Sequence, residues 1–211
     1  MPKFVVNIYS KEGETTLKQD ETRQKLIDGT IHVIARDGLD KATTKQIGNE
    51  TAINEVYIYR CFSDKEDMFS KTFDSLDEEL VTVAMKNVCI MYMNELEFET
   101  RCRLFYSAVW RFILRNSDKC LAYIRYYYST YFKKNSARSH KERFVPLIEK
   151  FKGAFRDESN VWMIFNHMLM TVLDFAVRVF DGSVPDNDDT EEHVFRLIYY
   201  SAQQYFKAKE C

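Results

Sequence analysis

The sequence predicts an all-α fold, and three observations lead to that expectation. Proline and glycine are scarce, with three and six residues among 211, so long segments are free of strong helix breakers. Apolar residues recur three and four positions apart along most of the chain, which is the period of an amphipathic helix. Hydrophobic residues make up 45% of the chain, enough for a buried core. A mainly helical protein therefore fits better than a β-sandwich.

Composition also argues against metal sites, disulfides and membrane spans. The cysteines are odd in number and form no CxxC pair; they are Cys61, Cys89, Cys102, Cys120 and Cys211. We therefore expect reduced thiols in a cytoplasmic protein, with no metal and no cofactor. Residues 161–180 are about as long as a membrane span, but polar residues interrupt them: Asn166, His167, Thr171, Asp174 and Arg178. This segment predicts a helix buried in protein, with no membrane partner.

The N-terminal residues predict an arm followed by a helix. Residues 1–19 show no period and are expected to form a flexible arm, whose lysines are candidates for phosphate contacts. The first helix is predicted at residues 21–36, where Ile27 and Ile31 share one face. Gly38 is expected to end it in the left-handed conformation.

Residues 43–62 predict two short helices. Thr43 and Gln46 form a capping box for the second helix. After a tight connection, Asn54 is a favoured N-cap for a third helix, in which Ile58 faces the core. Two short helices joined in this way form a helix-turn-helix, whose second helix can enter the major groove of DNA.

A fourth helix is predicted to begin with a capping box of Ser63 and Glu66 and to leave the first domain as a long amphipathic rod. Its apolar positions are Phe69, Phe73, Leu76, Leu80 and Val83. The expected organisation is therefore a flexible arm (1–19), a three-helix helix-turn-helix domain (20–66) and a C-terminal helical domain (67–211).

Several positions in residues 20–70 share the spacing of a known motif. They are Leu26-Ile27, Thr30, Ile34, Gly38, Thr43, Ile47-Gly48, Thr51-Ala52-Ile53-Asn54, Tyr59-Arg60-Cys61-Phe62 and Lys65. This block resembles the N-terminal domain of the tetracycline-repressor (TetR) family. The chain departs from the family pattern at Ala52, usually glycine, at Glu55, often basic, and at Val56, usually small. The resemblance implies a transcriptional repressor that a small, largely apolar molecule releases from its operator.

The resemblance places a set of side chains on double-stranded DNA. It implies phosphate contacts for Thr43, Lys45, Tyr59 and Lys65. Candidates for contacts with base edges are Asn54, Glu55, Tyr57 and Arg60. Phosphate contacts set register and most of the affinity, whereas base contacts read sequence. In the alternative interpretation, Tyr59 is a core residue, and Lys45 and Lys65 are ordinary solvated charges.

Helical spacing continues from residue 85 onward, interrupted by polar breaks at residues 116–117, 135–136, 157–160 and 181–190. Asp189 and Glu192 form a cap-like pair before a final helix. The helix at residues 161–180 is apolar nearly all round, so it needs cover on several sides. In the resembled family the last two helices pair with those of a second copy, which implies a homodimer and a palindromic operator.

Aromatic and methionine side chains crowd the middle of the larger domain and predict a pocket for a small-molecule effector. The candidate pocket residues are Trp110, Tyr123, Tyr127, Trp162, Asn166, His167 and Met170. Each also has a structural interpretation, because aromatic stripes more often form core and buried polar side chains usually satisfy a neighbouring group. The sequence leaves open whether the effector is a lipophilic cation or a neutral molecule.

Competing functions are weighed on specific residues. The chain has no GxSxG, HExxH or P-loop motif, so we expect no catalytic residues and no enzyme. The alternative function is a helical adaptor of the same fold that no longer binds DNA, favoured by Glu55, Val56 and the balance of ten basic and ten acidic residues in residues 1–65. A thiol sensor at Cys61 is a further variant, although free cysteine is usually a small buried hydrophobe.

Overall fold

A computed structural model describes residues 9–207, with side chains from residue 18 onward. Within that span the chain folds into nine α-helices without a named strand, which confirms the predicted all-α class. The helices are α1 (Tyr9–Asp37), α2 (Thr44–Thr51), α3 (Glu55–Cys61), α4 (Lys65–Asn87), α5 (Phe98–Leu114), α6 (Ser117–Tyr127), α7 (Ala137–Phe151), α8 (Val161–Phe180) and α9 (Asp188–Gln203).

The first three helices and the start of α4 form an N-terminal domain around a shared apolar core. Its central side chains are at most 1% exposed and are Leu26, Ile34, Ile47, Ile58 and Phe69. Burying one side chain of this size contributes about 1.5–3 kcal/mol. Helices as short as α2 and α3 are marginal in isolation, so this burial holds them in place.

Local capping sets the helix ends that the sequence predicts. The Thr43 hydroxyl accepts from the Gln46 N–H at 3.2 Å, and the Gln46 side-chain oxygen accepts from the Thr43 N–H at 3.0 Å, which confirms the capping box. Asn54 caps α3 by accepting from the Val56 N–H at 2.9 Å. Gly38 has a φ of 90° and follows the last residue of α1, as expected.

The turn between α2 and α3 depends on Gly48 and Ala52. A Cβ atom at Gly48 would lie 2.8 Å from the carbonyl oxygen of Ile53, so only glycine allows this close approach. Ala52 has a φ of 55°, in the left-handed region. An L-residue costs about 1–2 kcal/mol there, so the alanine at this position leaves strain in the turn.

Two helix starts differ from the prediction. Helix α1 begins at Tyr9, so the predicted start at residue 21 is wrong and the predicted arm overlaps the helix; residues 1–8 lie outside the described residues. Helix α4 is capped by Asp64, whose carboxylate accepts from the Asp67 N–H at 2.8 Å, and not by Ser63 and Glu66. A carboxylate at this position also interacts favourably with the helix dipole, which explains why Asp64 prevails.

Helices α4–α9 form the larger domain, with three of the four predicted breaks separating helices. The predicted break at residues 135–136 is instead a π-helical turn (Phe132–Ser136) that leads into α7. Helix α9 is capped by Asn187, whose side chain accepts from the Thr190 N–H at 2.9 Å. The predicted cap of Asp189 and Glu192 is therefore wrong. The predicted domain boundary between residues 66 and 67 falls in the first turn of α4.

Helix α8 is the one described helix whose length and composition would allow it to cross a membrane. It packs against α5, α6, α7 and α9, as expected of a helix within a folded domain. One third of this span, 33%, is buried within the single chain. Part of its apolar surface therefore faces outward, including Met163.

Candidate DNA-binding surface and ligand cavity

Helix α3 presents large side chains to solvent on one face and is buried on the other. Ile58 is fully buried, whereas Val56, Tyr57 and Tyr59 are 60%, 47% and 57% exposed. Clustered large side chains on the surface of a soluble domain mark contacts with another molecule. The exposure of Tyr59 also argues against the alternative that it is a core residue.

Basic residues of the predicted DNA-binding set lie on or beside this face. Lys45 and Arg60 are exposed. The Arg60 guanidinium lies 4.7 Å from the centroid of the Tyr57 ring, and Lys65 Nζ lies 5.1 Å from that of Phe69. Stacking on a ring orients a cation without using its N–H donors. Both side chains therefore remain able to donate to phosphate or base oxygens.

The predicted residues at the two helix starts already have partners in the domain. The side chains of Thr43 and Asn54 cap α2 and α3. The Glu55 carboxylate accepts from the hydroxyl of Thr44, at the start of α2. This contact holds the two helices together, and sequence reasoning missed Thr44. A base contact by Asn54 or Glu55 would require the side chain to exchange its local partner.

Hydrogen bonds from two basic residues, Lys134 and Arg125, help to join this domain to the larger one. Glu66 accepts from Lys134 Nζ at 2.7 Å, and this hydrogen bond holds the pKa of the Glu66 carboxyl below its ordinary value. Arg125 of α6 donates to the carbonyl oxygens of Ile34 and Ala35 at 2.5 and 2.7 Å. These carbonyls lie in the last turn of α1, and the Ile34 carbonyl also accepts from the Gly38 N–H at 3.0 Å. Movement of α6 would therefore be transmitted to α1.

A buried polar cluster, consisting of Asp77, Tyr123, His140 and Arg143, joins α4 to α6 and α7. Asp77 is fully buried and accepts from the Tyr123 hydroxyl and from Arg143, each at 2.9 Å. His140 Nδ1 lies 3.0 Å from the same carboxylate. Burial, with the nearby Asp77 charge, raises the pKa of Tyr123 well above its ordinary value. Sequence reasoning missed this cluster, whose one local signal is the spacing of His140 and Arg143 on one helix face.

Of the seven predicted pocket residues, Tyr123 belongs to this cluster, and Tyr127, Trp162 and Asn166 lie beside it. The rings of Tyr123, Tyr127 and Trp162 have centroids 6.4, 5.7 and 5.5 Å from that of His140. Asn166 donates to the Tyr127 hydroxyl at 3.0 Å. The structure thus brings them together around an imidazole that the sequence analysis did not select.

The other three predicted pocket residues are dispersed. Trp110 is buried and stacks on Tyr106 at 5.9 Å between centroids. His167 is exposed on α8, and Met170 is partly buried. Ligand binding by the seven residues stays a prediction, because the cavity described next has other residues in its wall.

A cavity of about 140 Å³ lies between α4, α5, α7, α8 and α9. Its wall is aliphatic and aromatic, and includes Leu80, Ala84, Phe105, Val109, Phe144, Leu169 and Phe195. None of the described side chains that line it carries a charge or an amide, and the surface of the cavity is almost entirely apolar; the lining residues with a polar group are Tyr106, Tyr199 and Cys102. Among the described residues the Tyr106 hydroxyl has no hydrogen-bond partner, and burial raises its pKa.

Comparisons with known proteins match the N-terminal domain by sequence. Residues 26–72 match the model for bacterial regulatory proteins of the tetR family. A 61-residue stretch is 33% identical to the HTH-type nicotine-responsive transcriptional repressor HdnoR of Paenarthrobacter nicotinovorans. That stretch covers 29% of this chain and 31% of the length of HdnoR, so the similarity says nothing about the ligand of this chain.

Comparisons of structure extend over most of the chain. A TetR family transcription regulator from Marinobacter aquaeolei VT8 matches with a TM-score of 0.73 at 14% identity, over 88% of this chain and 97% of that one. A regulator described as a putative tetR family member from Shewanella sp. PV-4 has a TM-score of 0.71 at 12% identity, over 85% and 96%. The fatty acid degradation regulator FadR from Bacillus halodurans has a TM-score of 0.61 at 16% identity, over 84% and 94%. At these identities the matches show a shared fold.

Proposed function

We propose that this chain, whose residues 26–72 match the tetR family model and whose fold is shared with TetR family regulators, is a member of that family and a cytoplasmic, ligand-responsive repressor of transcription. The observation that carries the proposal is the exposed face of α3. Its other face is fixed by Ile58 in the domain core, while Tyr57 and Tyr59 point to solvent. A short helix held in this way has the geometry of a recognition helix in the major groove.

Phosphate contacts supply most of the proposed affinity. Tyr59 lies on α3 itself, Lys45 on α2 and Lys65 at the start of α4, and the N-terminus of α2 behind Thr43 adds its dipole. Arg60 and Tyr57 are the base-reading candidates with the greatest reach, since Arg60 stacks on Tyr57 beside the exposed face. Arginine is suited to guanine.

A homodimer through α8 and α9 is part of the same proposal. Both helices carry large exposed side chains, namely Met163 at 58%, Leu197 at 56% and Tyr200 at 52%. Pairing these surfaces with those of a second copy would bury them. A two-fold dimer would also place two α3 helices about 34–36 Å apart, on successive major grooves of a palindromic operator.

The proposed response to a small apolar effector runs through α4. This helix begins in the N-terminal domain and supplies Leu80 and Ala84 to the cavity wall. An occupant that favours one position of α4 would change the spacing of the two α3 helices. Couplings of this kind typically amount to about 1–3 kcal/mol.

The DNA-binding role is tested by Tyr59→Ala and Lys65→Ala, with Tyr92→Ala and Lys86→Ala as matched controls. Both control residues are exposed. At 1.5 Å per residue, Lys86 lies roughly 30 Å from Lys65 along α4, and Tyr92 follows the end of that helix. In titrations of labelled duplexes we expect both test variants to weaken binding to every duplex, with about tenfold for Lys65→Ala. For that variant, the slope of log affinity against log salt concentration should fall in magnitude by about one. Wild-type affinity in both test variants would remove the assignment.

A helical adaptor without DNA binding is the second candidate. The Glu55 carboxylate at the start of α3 favours it, because an acid beside DNA repels phosphates. In the same titrations an adaptor would bind no duplex, whether or not Tyr59 and Lys65 were replaced.

A further inference from the structure

We propose that the cavity selects a neutral ligand, with a ring or short chain of about benzene size and one uncharged polar group that hydrogen-bonds to Tyr106. This inference rests on the proposed ligand response and specifies the chemical class of the effector. It decides between the two classes that the sequence left open, a lipophilic cation and a neutral molecule.

The wall of the cavity excludes charge. Its described side chains contain no carboxylate, ammonium, guanidinium or amide. An ion entering it would lose hydration without gaining a counter-charge, which is among the largest penalties in protein interiors. The aromatic rings offer a cation only weak compensation compared with its lost hydration.

The volume limits the size of the ligand. An apolar cavity of roughly 150 Å³ stays dry and accommodates one benzene molecule, and this cavity measures about 140 Å³. Occupancy by a compact apolar ligand would add contacts along side chains that now border empty space. Longer ligands would require the wall to move.

Tyr106 supplies the polar element of the site. Its ring is held between Trp110 and Phe195, with centroids 5.9 and 5.6 Å away, and it is 7% exposed. Its hydroxyl has no hydrogen-bond partner in the described part of the chain and lies just behind the apolar surface of the cavity, so it carries a cost of burial that a ligand hydroxyl or carbonyl would relieve once a small shift of the wall admits it. Tyr106 and Phe195 also border a charged cleft with Arg103, Arg111 and Glu191, so the two rings separate the cavity from the surface.

Four probes of similar shape test charge selection by calorimetry on the full chain without DNA. They are ethylbenzene, 2-phenylethanol, phenylacetate and 2-phenylethylammonium. We expect the two neutral probes to bind and the two ions to bind at least 100-fold more weakly. Equal or tighter binding of either ion would overturn the proposed class.

Tyr106→Phe tests the hydrogen bond, with Tyr92→Phe on an exposed tyrosine as the control. We expect Tyr106→Phe to weaken 2-phenylethanol binding about 5- to 10-fold, the usual effect of one neutral hydrogen bond, and to change ethylbenzene binding less than twofold. An unchanged affinity for 2-phenylethanol would mean that the hydroxyl points to the charged cleft, and would overturn its role. Val109→Phe, which fills the cavity, should abolish binding of both neutral probes; retained binding would place the ligand elsewhere.

DNA titration of the wild-type chain separates this inference from the proposed function. If DNA binding depends on Tyr59 and Lys65 while no neutral probe binds, the ligand class is wrong and the DNA-binding role stands. If the neutral probes bind and no duplex does, the ligand class stands and the DNA-binding role is wrong.

Discussion

Replacement of Asp77 by alanine tests the polar cluster that connects α4 to α6 and α7. The substitution removes the acceptor shared by Tyr123, His140 and Arg143. His140 is 1% exposed, and its Nε2 has no hydrogen-bond partner among the described residues, so loss of the carboxylate leaves neither ring nitrogen with a partner there. We therefore expect this substitution to lower the free energy of unfolding substantially.

The magnitude follows from which partners can recover. Removing one member of a buried ion pair costs about 3–5 kcal/mol. Arg143 keeps its hydrogen bond to Asp74 at 2.9 Å, and its side chain is 18% exposed, so its charge stays compensated. Within the described part of the chain, Tyr123 and His140 hydrogen-bond only to Asp77 through their side chains, so they carry most of the loss. We expect about 3 kcal/mol, at the lower end of the range.

Urea unfolding followed by circular dichroism measures this loss, at one protein concentration because the stability of the proposed dimer would depend on that concentration. A loss of about 3 kcal/mol lowers the midpoint by about 1–1.5 M when the urea dependence is about 2–3 kcal/mol per M. Asp74→Ala, which removes a partly exposed acid on the same helix, is the control and should cost about 1 kcal/mol. An Asp77→Ala variant within 0.5 kcal/mol of wild type, a threshold typical of surface substitutions, would refute the reasoning.

Three further outcomes are expected. Ala52→Gly should stabilise the protein by about 0.5 kcal/mol in thermal unfolding, since relief of the left-handed strain exceeds the entropic cost of glycine; a destabilised variant would contradict this. Arg125→Met should cost about 2 kcal/mol by removing two charge-assisted hydrogen bonds to α1, and urea midpoints unchanged from wild type would show that they are dispensable. A thiol reagent at pH 8 should label the exposed Cys89 and spare Cys120, whose burial raises its pKa to about 12. Burial also raises the pKa of Cys61, so treatment with peroxide should leave DNA binding intact. If peroxide abolished DNA binding and Cys61→Ser prevented that effect, the thiol-sensor hypothesis would stand instead.

The N-terminal domain was predictable because its signals are local. The capping box of Thr43, the N-cap at Asn54 and the end of α1 at Gly38 each involve residues within four positions of one another. Hydrogen bonds over such distances depend little on the rest of the fold. The predicted cap of α4 was wrong because Asp64 lies beside Ser63, and the free energies of capping by two adjacent candidates differ little.

The polar cluster and the cavity were beyond prediction because they depend on distant residues. Asp77 and His140 are 63 positions apart in the chain, and no local pattern indicates that their helices meet. A cavity is the space left where side chains from five helices fail to fill the core. The aromatic composition therefore predicted a pocket in the larger domain. The seven predicted pocket residues, however, lie outside the wall of the cavity that the structure contains.

Selection of bound duplexes from a random pool, at two salt concentrations, tests most directly the claim that α3 reads DNA. The account predicts an enriched palindrome with half-sites about 10 bp apart or a multiple of that spacing, bound more weakly at higher salt. A Tyr59→Ala and Lys65→Ala double variant should enrich nothing under the same conditions. A wild-type chain that leaves the pool unchanged at both salt concentrations would contradict the account.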